Sequence, residues 1–198
     1  MIPVVLQAEP NGFDVLVRQP GLQWLAENNI DLNGVPPKAS ELPAYWQRVT
    51  EQLWRSYSGV CAYLAIYFEF ATGAASTDHF IPKSTSASQA YEWSNYRLSC
   101  LGPNRNKNKF DDVLDPFEIV HNTFELNLSN GQIKPGLSLT TDEQAAAQKT
   151  IDRLKLDNDQ CRNMRQKTFS RYLRKEDEET LRELSPFVWY EAHRQGLL

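Results

Sequence analysis

The residues best suited to chemistry are the adjacent Asp78 and His79, the latter being one of only three histidines in the chain. A neutral imidazole can take a proton from water near pH 7. A carboxylate is a hard oxygen ligand of the kind that Mg²⁺ and Mn²⁺ prefer. A lone histidine serves structure more often than catalysis, so the pair acquires meaning only from the residues around it.

Two asparagines and a basic segment follow at short spacing. Asn95 lies 16 residues after His79, and Asn104 lies nine residues after Asn95. Residues 93–110 contain four basic side chains and no acidic one, although the whole chain has a net charge of −4. Such a local excess favours contact with phosphate. The set is therefore a candidate for chemistry on a phosphate group.

The order of these residues resembles the HNH (ββα-metal) endonuclease family. That family has an Asp-His pair, a variable loop, an Asn before a strand, and a helix that carries His or Asn. This chain reads Asp78-His79-Phe80-Ile81-Pro82-Lys83-Ser84, then Trp93-Ser94-Asn95 before Tyr96-Arg97-Leu98-Ser99-Cys100, then Asn104-Arg105-Asn106-Lys107. The likeness, an H-N-N variant, extends over about fifty residues and is faint elsewhere.

The resemblance implies a role for each site residue. His79, Asp78, Asn95 and Asn104 would form the catalytic set, and Asp78 and Asn104 would hold one Mg²⁺ or Mn²⁺. Asn95 would stay off the metal, bind the backbone of the loop and keep the imidazole oriented. The basic side chains expected to meet nucleic acid are Lys83, Arg97, Arg105, Lys107 and Lys109.

Two cysteines mark a departure from the family. Many members carry a structural zinc ion on two Cys-x-x-Cys pairs, and the first cysteine of each pair would be Cys61 and Cys100. Leu64 and Pro103 stand where the second cysteines would be. Because a structural zinc site needs four ligands, we expect no structural zinc and expect Leu64 to pack in its place.

The elements that must position these residues are a strand, a loop, a second strand and a short helix. A strand carrying Asp78 and His79 should end before Pro82, and residues 96–100 should form the next strand. Gly102-Pro103 predicts a helix start. Upstream, Ser40 is a candidate N-cap for a helix with an aromatic face that ends near Gly59. A short helix is expected at 22–28 in otherwise irregular residues 1–40.

The C-terminal part should be mostly helical. Alternation over 124–128 followed by Asn130-Gly131 predicts a hairpin with a two-residue turn. Thr141 begins a capping-box pattern, a helical pair should break near Asp157-Asn158, and Ser185-Pro186 should open a last helix. Phe187–Tyr190 is a candidate docking surface, although burial is the favoured fate. The fold class is α+β in one domain, with regions 1–58, 59–112 (the ββα core) and 113–198.

The chain-wide features give expectations about partners and location. Residues 149–175 hold nine Lys or Arg against three Asp, which a polyanion could use, although a solvated helix face is the simpler interpretation. We expect no membrane span and a cytoplasmic location. The order of the motifs along the chain, from Cys-x-Tyr through Asp-His-Phe-x-Pro-Lys-Ser and Trp-x-Asn to Thr150-Ile151-x-x-Leu154, also resembles HNH subunits of Septu-type and retron-linked bacterial antiphage systems. That resemblance implies an ABC- or SMC-like ATPase partner and an antiviral role.

Alternatives remain open at this point. One is a stand-alone restriction-like or phage nuclease, although no DNA-binding module is evident in the sequence. Another is a non-catalytic subunit that binds its target through the retained fold. DNA is favoured over RNA as the substrate.

Overall fold

The computed structural model describes residues 1–175 and 177–198 of this α+β chain. The chain divides into two compact units. The site unit comprises residues 6–59 and 69–111, and the hairpin unit comprises residues 1–5, 60–68 and 112–198. Residues 60–68, which the sequence analysis grouped with the ββα segment, thus lie in the hairpin unit.

The site unit contains the predicted strand, loop, strand and helix. Strand β1 (Ala75–His79) pairs antiparallel with β2 (Tyr96–Cys100), so that Asp78 lies opposite Arg97 and His79 opposite Tyr96. Helix α1 is Gln19–Glu27, α2 is Thr50–Ser56 and α3 is Leu101–Lys107. Helix α3 begins directly after β2 and contacts both strands. The predicted bounds of β2 are confirmed.

The predicted N-cap at Ser40 is wrong. Ser40 lies in a 3₁₀ turn, Ala39–Glu41, and Leu42 is extended with ψ 121°. The residue before a proline avoids the helical region, so Pro43 prevents a helix from continuing through this point. A new 3₁₀ segment, Tyr45–Val49, leads into α2 instead.

The N-terminal residues are more helical than the sequence predicted. A π-helical segment, Asp14–Arg18, runs directly into α1. Gly21 allows this helix to approach the buried ring of Tyr91, because a Cβ at position 21 would lie 2.3 Å from Tyr91 Cγ. The small residue therefore sets how closely α1 packs on the short 3₁₀ segment Ser88–Tyr91.

The hairpin unit contains the second sheet. Strand β3 (Phe124–Asn127) pairs with β4 (Gln132–Pro135), as the alternation predicted. The turn is not the predicted two-residue turn, because Asn127 pairs with Gln132 and leaves four residues, 128–131, in the loop. The Asn127 side chain caps this loop by accepting from the backbone N–H of Ser129 at 3.0 Å, while Gly131 takes a positive φ of 71°.

The described residues of the hairpin unit also form helices α4 (Thr141–Leu154), α5 (Asp159–Lys175), α6 (Glu178–Leu184) and α7 (Pro186–Arg194). The break between α4 and α5 falls at Lys155, which has the left-handed φ of 55°. The capping box belongs to Thr140 and Glu143 rather than to Thr141. Helix α6 was not predicted.

Burial in the hairpin unit follows its apolar pattern. Phe187 and Val188 of α7 are buried, at 1% and 3% exposure, so this part of the candidate docking segment belongs to the core. Among the described residues, no helix combines the length and the apolar character needed to cross a bilayer.

Candidate active site

A cleft of about 920 Å³ opens along β1 in the site unit. Its walls come from β1 and residues 82–84 after it, from α3 and residues 108–109 after it, and from residues 39–50, which lead into α2. Three of the predicted site residues, Asp78, His79 and Asn104, line it together. The pairing of β1 with β2 and the packing of α3 on both strands therefore bring together residues that are far apart in the sequence.

Successive side chains of β1 point to opposite faces of the strand and therefore contact different elements. Ser76 and Asp78 contact residues of α3, as their bonds to Asn104 and Lys107 show. Thr77 contacts Thr50 of α2, with 3.3 Å between their Oγ1 atoms. His79 also points away from α3, and its ring packs edge-on against Trp46 with centroids 4.7 Å apart.

The imidazole of His79 is held in one tautomer. Its Nε2 lies 3.1 Å from the carbonyl oxygen of Ala90, which can only accept a hydrogen bond, so Nε2 carries the proton. The hydroxyl of Tyr96 donates to the same carbonyl at 2.7 Å. In the neutral ring, Nδ1 is therefore the nitrogen with a lone pair.

Burial keeps this ring neutral. Desolvation lowers the pKa of His79 to about 3, and the positive charges of Lys83 and Lys107 lower it further, against the opposing hydrogen bond to Ala90. A ring with so low a pKa is unprotonated near pH 7. The site thus holds an imidazole that is neutral at pH 7 and carries its lone pair on Nδ1.

Asp78 forms a buried ion pair with Lys107. The two side chains are 2% and 0% exposed, and Lys107 Nζ lies 3.4 Å from Asp78 Oδ2. Lys107 also donates to the carbonyl oxygens of His79 at 2.8 Å and Phe80 at 2.9 Å. The prediction that Lys107 contacts nucleic acid is therefore wrong, because its ammonium group binds the end of β1 from within the core.

Asn104 approaches β1 from the first turn of α3. Its Nδ2 donates to Ser76 Oγ and, at 3.5 Å, to the carbonyl oxygen of Thr77. These contacts fix the amide with its nitrogen toward the strand, which leaves Oδ1 at the other end of the amide to accept from or coordinate a ligand.

Asn95 makes the loop contacts that the resemblance implied for it. Its Oδ1 accepts from the N–H of Ile81 at 2.7 Å, and its Nδ2 donates to the carbonyl oxygens of Ile81 at 3.0 Å and Gln89 at 2.8 Å. The side chain is 4% exposed. It closes the loop between β1 and β2 directly beside Ala90, the residue that orients the His79 ring.

The other basic residues separate into two groups. Arg97 is 4% exposed and donates to the carbonyl oxygens of Ser94 and Tyr96, so its predicted contact with nucleic acid is wrong. Its position opposite Asp78 in the register directs it inward. Lys83, Arg105 and Lys109 line the cleft, and their contact with phosphate stays a prediction.

Trp46 is a site residue that the sequence did not single out, since it belongs to a run of aromatic residues at helical spacing. Its indole is 8% exposed; one edge meets His79, and Lys83 Nζ lies 4.3 Å from the ring centroid. Burial lowers the pKa of Lys83. A tryptophan at this sequence distance from His79 carries no motif that would have revealed the contact.

The donor set of the cleft fits a weakly held hard cation. Asp78 offers a carboxylate and Asn104 an amide oxygen, which are ligand types that Mg²⁺ accepts alongside water and phosphate. In the described part of the chain, no cluster of three or more His, Cys, Asp or Glu side chains is arranged to hold a metal.

Comparison with known proteins adds no assignment: no protein-family model and no curated protein sequence matches this chain significantly.

Proposed function

We propose that this chain is a divalent-metal-dependent endonuclease with a ββα-metal site. The observation that carries the proposal is the geometry of His79, whose protonated Nε2 is bound to a backbone carbonyl while the ring stays neutral in a cleft shared with Asp78 and Asn104. A general base, an anionic oxygen and a neutral oxygen donor are the groups that phosphodiester hydrolysis at one cation requires.

Each residue has a separate task in this proposal. His79 accepts the proton of the attacking water through Nδ1. Asp78 and Asn104 would hold Mg²⁺ or Mn²⁺, which when bound offsets the charge on the leaving oxygen. Asn95 keeps the loop closed so that Ala90 can orient the imidazole. Arg105 and Lys109 bind non-bridging phosphate oxygens at the edge of the cleft.

The proposal is tested with the purified full chain on supercoiled plasmid, single-stranded DNA and tRNA. We expect cleavage with millimolar Mg²⁺ or Mn²⁺, none with a chelator, and a preference for DNA. His79→Ala should lower the rate by about 10²–10⁴-fold, while His193→Ala, at an exposed position of the hairpin unit, should not. Circular dichroism checks that each variant is folded. Full activity of folded His79→Ala, or cleavage that persists in chelator, contradicts the proposal.

The ion pair of Asp78 favours a second candidate, a binding subunit without catalysis. Lys107 already compensates this carboxylate, and a buried cation at that distance disfavours a second one by repulsion. Calorimetric titration with Mn²⁺ distinguishes the two candidates. The nuclease requires binding that Asp78→Asn abolishes, whereas the binding subunit requires no Mn²⁺ uptake and unchanged affinity for nucleic acid in chelator.

The proposed biological setting is antiphage defence beside an ABC- or SMC-like ATPase. The net charge of −4 supports this part, since an acidic nuclease gains from a partner that recruits nucleic acid. Co-expression with the product of the neighbouring gene, followed by affinity purification, should recover a complex. Recovery of the nuclease alone, with full activity, favours the stand-alone enzyme instead.

A further inference from the structure

Lys83 is a cation of the cleft that the mechanism proposed above does not use. It lines the cleft together with His79 and Trp46, and all the residues that line the cleft belong to the site unit. The two cations already assigned to phosphate, Arg105 and Lys109, come from α3 and the residues just after it. Lys83 comes instead from the turn that follows β1, four residues after the strand ends.

The backbone that carries Lys83 is fixed on both sides. Before it, Ile81 donates its N–H to the Asn95 side chain and accepts from the same amide. After it, the N–H of Thr85 donates to the carbonyl oxygen of Pro82 at 2.8 Å, which closes a turn with Lys83 in its second position. The side chain of Lys83 therefore extends from a defined point beside the end of β1.

The ammonium end of Lys83 is held as well. Its Nζ lies 4.3 Å from the centroid of the Trp46 ring, and the negative face of an indole attracts a cation in that position. Trp46 is itself 8% exposed, so the surface on which the ammonium group rests belongs to the packed wall of the cleft. Both ends of this long side chain thus have a fixed support.

Trp46 places this cation close to the candidate base. The centroids of the Trp46 and His79 rings are 4.7 Å apart, so Lys83 Nζ is no more than about 9 Å from the imidazole centroid. A water molecule and a phosphate group fit in such a space. A hydrogen bond spans about 2.8 Å, and an attacking oxygen starts about 3–3.5 Å from the atom that it attacks.

We propose that Lys83 is a catalytic residue whose ammonium group binds a non-bridging oxygen of the phosphate that water attacks. The inference rests on the proposed function. In the step, the water oxygen bonds to phosphorus, the phosphorus–oxygen bond to one sugar breaks, His79 Nδ1 takes a proton from the water and solvent protonates the leaving oxygen. Lys83 keeps its proton and offsets the negative charge that builds on the phosphate oxygens.

The surroundings of Lys83 suit this task. Burial lowers its pKa, because the ammonium group loses part of its contact with water. A cation with less water around it gains more from an anionic oxygen than a fully solvated one does. Lys83 should therefore contribute to the rate of the chemical step, whereas a solvated cation at the edge of the cleft should contribute to affinity.

Kinetics of the full chain separate these two contributions. Lys83→Met is compared with Lys38→Met, which removes the same charge from a side chain that is 69% exposed and paired with Glu41. The rate constant comes from single-turnover cleavage of a fluorescent 30-base-pair DNA duplex with saturating protein and Mg²⁺. The dissociation constant for the same duplex comes from anisotropy in chelator, and circular dichroism checks that each variant is folded.

Lys83→Met should lower the rate constant at saturation by about 10²–10³-fold and change the dissociation constant by less than about threefold. Lys83→Arg keeps a cation over Trp46 and should recover part of the rate. Lys38→Met should change both quantities by less than about twofold. Weaker binding of Lys83→Met with an unchanged rate at saturation would make Lys83 an ordinary backbone contact and overturn the inference.

A second measurement needs no cleavage. In protein labelled with ¹³C-lysine, the ring current of Trp46 should shift the Hε resonances of Lys83 upfield, and Lys83→Arg identifies them by their loss. Adding the duplex in chelator should move these resonances more than those of Lys38, and no movement at saturating duplex overturns the inference. If the parent chain cleaves no nucleic acid, the proposed function fails, and this spectrum decides separately whether Lys83 binds phosphate.

Discussion

Lys107 illustrates how position in the fold decides what a cation does. Its ammonium group is fully buried and lies within reach of the Asp78 carboxylate and of the carbonyl oxygens of His79 and Phe80 at the end of β1. It thereby joins α3 to the strand that carries the candidate base and metal ligand. These oxygen atoms compensate the buried charge of Lys107, and loss of either member of the buried ion pair should destabilise the fold.

Removal of the Lys107 charge should therefore destabilise the site unit. Lys107→Met removes the cation beside the buried Asp78 carboxylate and the donor to the carbonyl oxygens of His79 and Phe80. We expect a loss of about 3–5 kcal/mol in unfolding free energy, measured by urea denaturation in chelator. Lys109→Met, two residues away and exposed, should stay within about 0.5 kcal/mol. Adding Asp78→Asn to Lys107→Met should restore part of the loss. Equal stability of the two single variants would refute this role.

His79 should also make stability depend on pH. The unfolded imidazole takes up a proton near pH 6.5, whereas the folded ring has a pKa of about 3. The unfolded state thus binds more protons between these values, so stability is complete above pH 6.5 and is lost as the pH falls toward 3. The slope should reach at most about 1.4 kcal/mol per pH unit.

The measurement is urea denaturation of the metal-free protein between pH 7 and pH 4. His79→Asn should remove this component of the slope, because the substituted side chain does not titrate. A slope that is the same in the parent and the variant would show that the His79 ring is solvated in the folded state.

At the scale of elements, the β1–β2 loop is organised by one side chain. The side-chain amide of Asn95 forms hydrogen bonds with the backbone of Ile81 and Gln89. The hydroxyl of Tyr96 donates to the adjacent carbonyl oxygen of Ala90. The residues between His79 and Asn95 therefore form a loop whose two ends are joined by hydrogen bonds. The loop and both strands act together as the frame of the His79 ring.

Helix α4 gives a sharp test of an element boundary, because its capping box belongs to Thr140 and not to the predicted Thr141. Thr140 accepts from Glu143 N–H at 3.4 Å, and Glu143 accepts from Thr140 N–H at 2.8 Å. Thr140→Ala should thus cost about 1 kcal/mol of unfolding free energy. Thr141→Ala, in the first helical turn, should change it by less than about 0.5 kcal/mol. The reverse order in thermal denaturation would place the cap at Thr141.

At the scale of the whole molecule, the chain passes between its two units several times. The hairpin unit is assembled from three segments of sequence and the site unit from two. In the site unit, residues 39–50 supply one wall of the cleft, and Trp46 contacts the His79 ring. The candidate site therefore depends on residues well outside the motif that first indicated it.

Excision of residues 59–112, the segment predicted to be the ββα core, should give an unfolded peptide. It lacks Trp46 and the α2 side chains that cover Thr77 and His79, so one side of β1 would be exposed to water. We expect a disordered far-ultraviolet circular dichroism spectrum and poor dispersion of amide resonances. A folded fragment that melts cooperatively would show that the added segments are dispensable.

Short-range chemistry in the sequence was enough to predict several local features. The bounds of β2, the start of α3 at Gly102-Pro103, the β3–β4 hairpin and the break between α4 and α5 depend on neighbouring residues alone, through turn, cap and alternation preferences. The loop contacts of Asn95 were also predicted, from the resemblance. The nuclease function and its metal stay predictions.

Only the tertiary structure decided which charges are accessible and what holds the candidate base. Four basic residues in 93–110 look alike in sequence, yet Arg97 and Lys107 are buried while Arg105 and Lys109 line the cleft. Whether each of these side chains is buried or exposed depends on which face of β2 or α3 is covered. The covering residues come from distant parts of the chain. The tautomer of His79 depends likewise on a carbonyl 11 residues away, a contact that no local preference encodes.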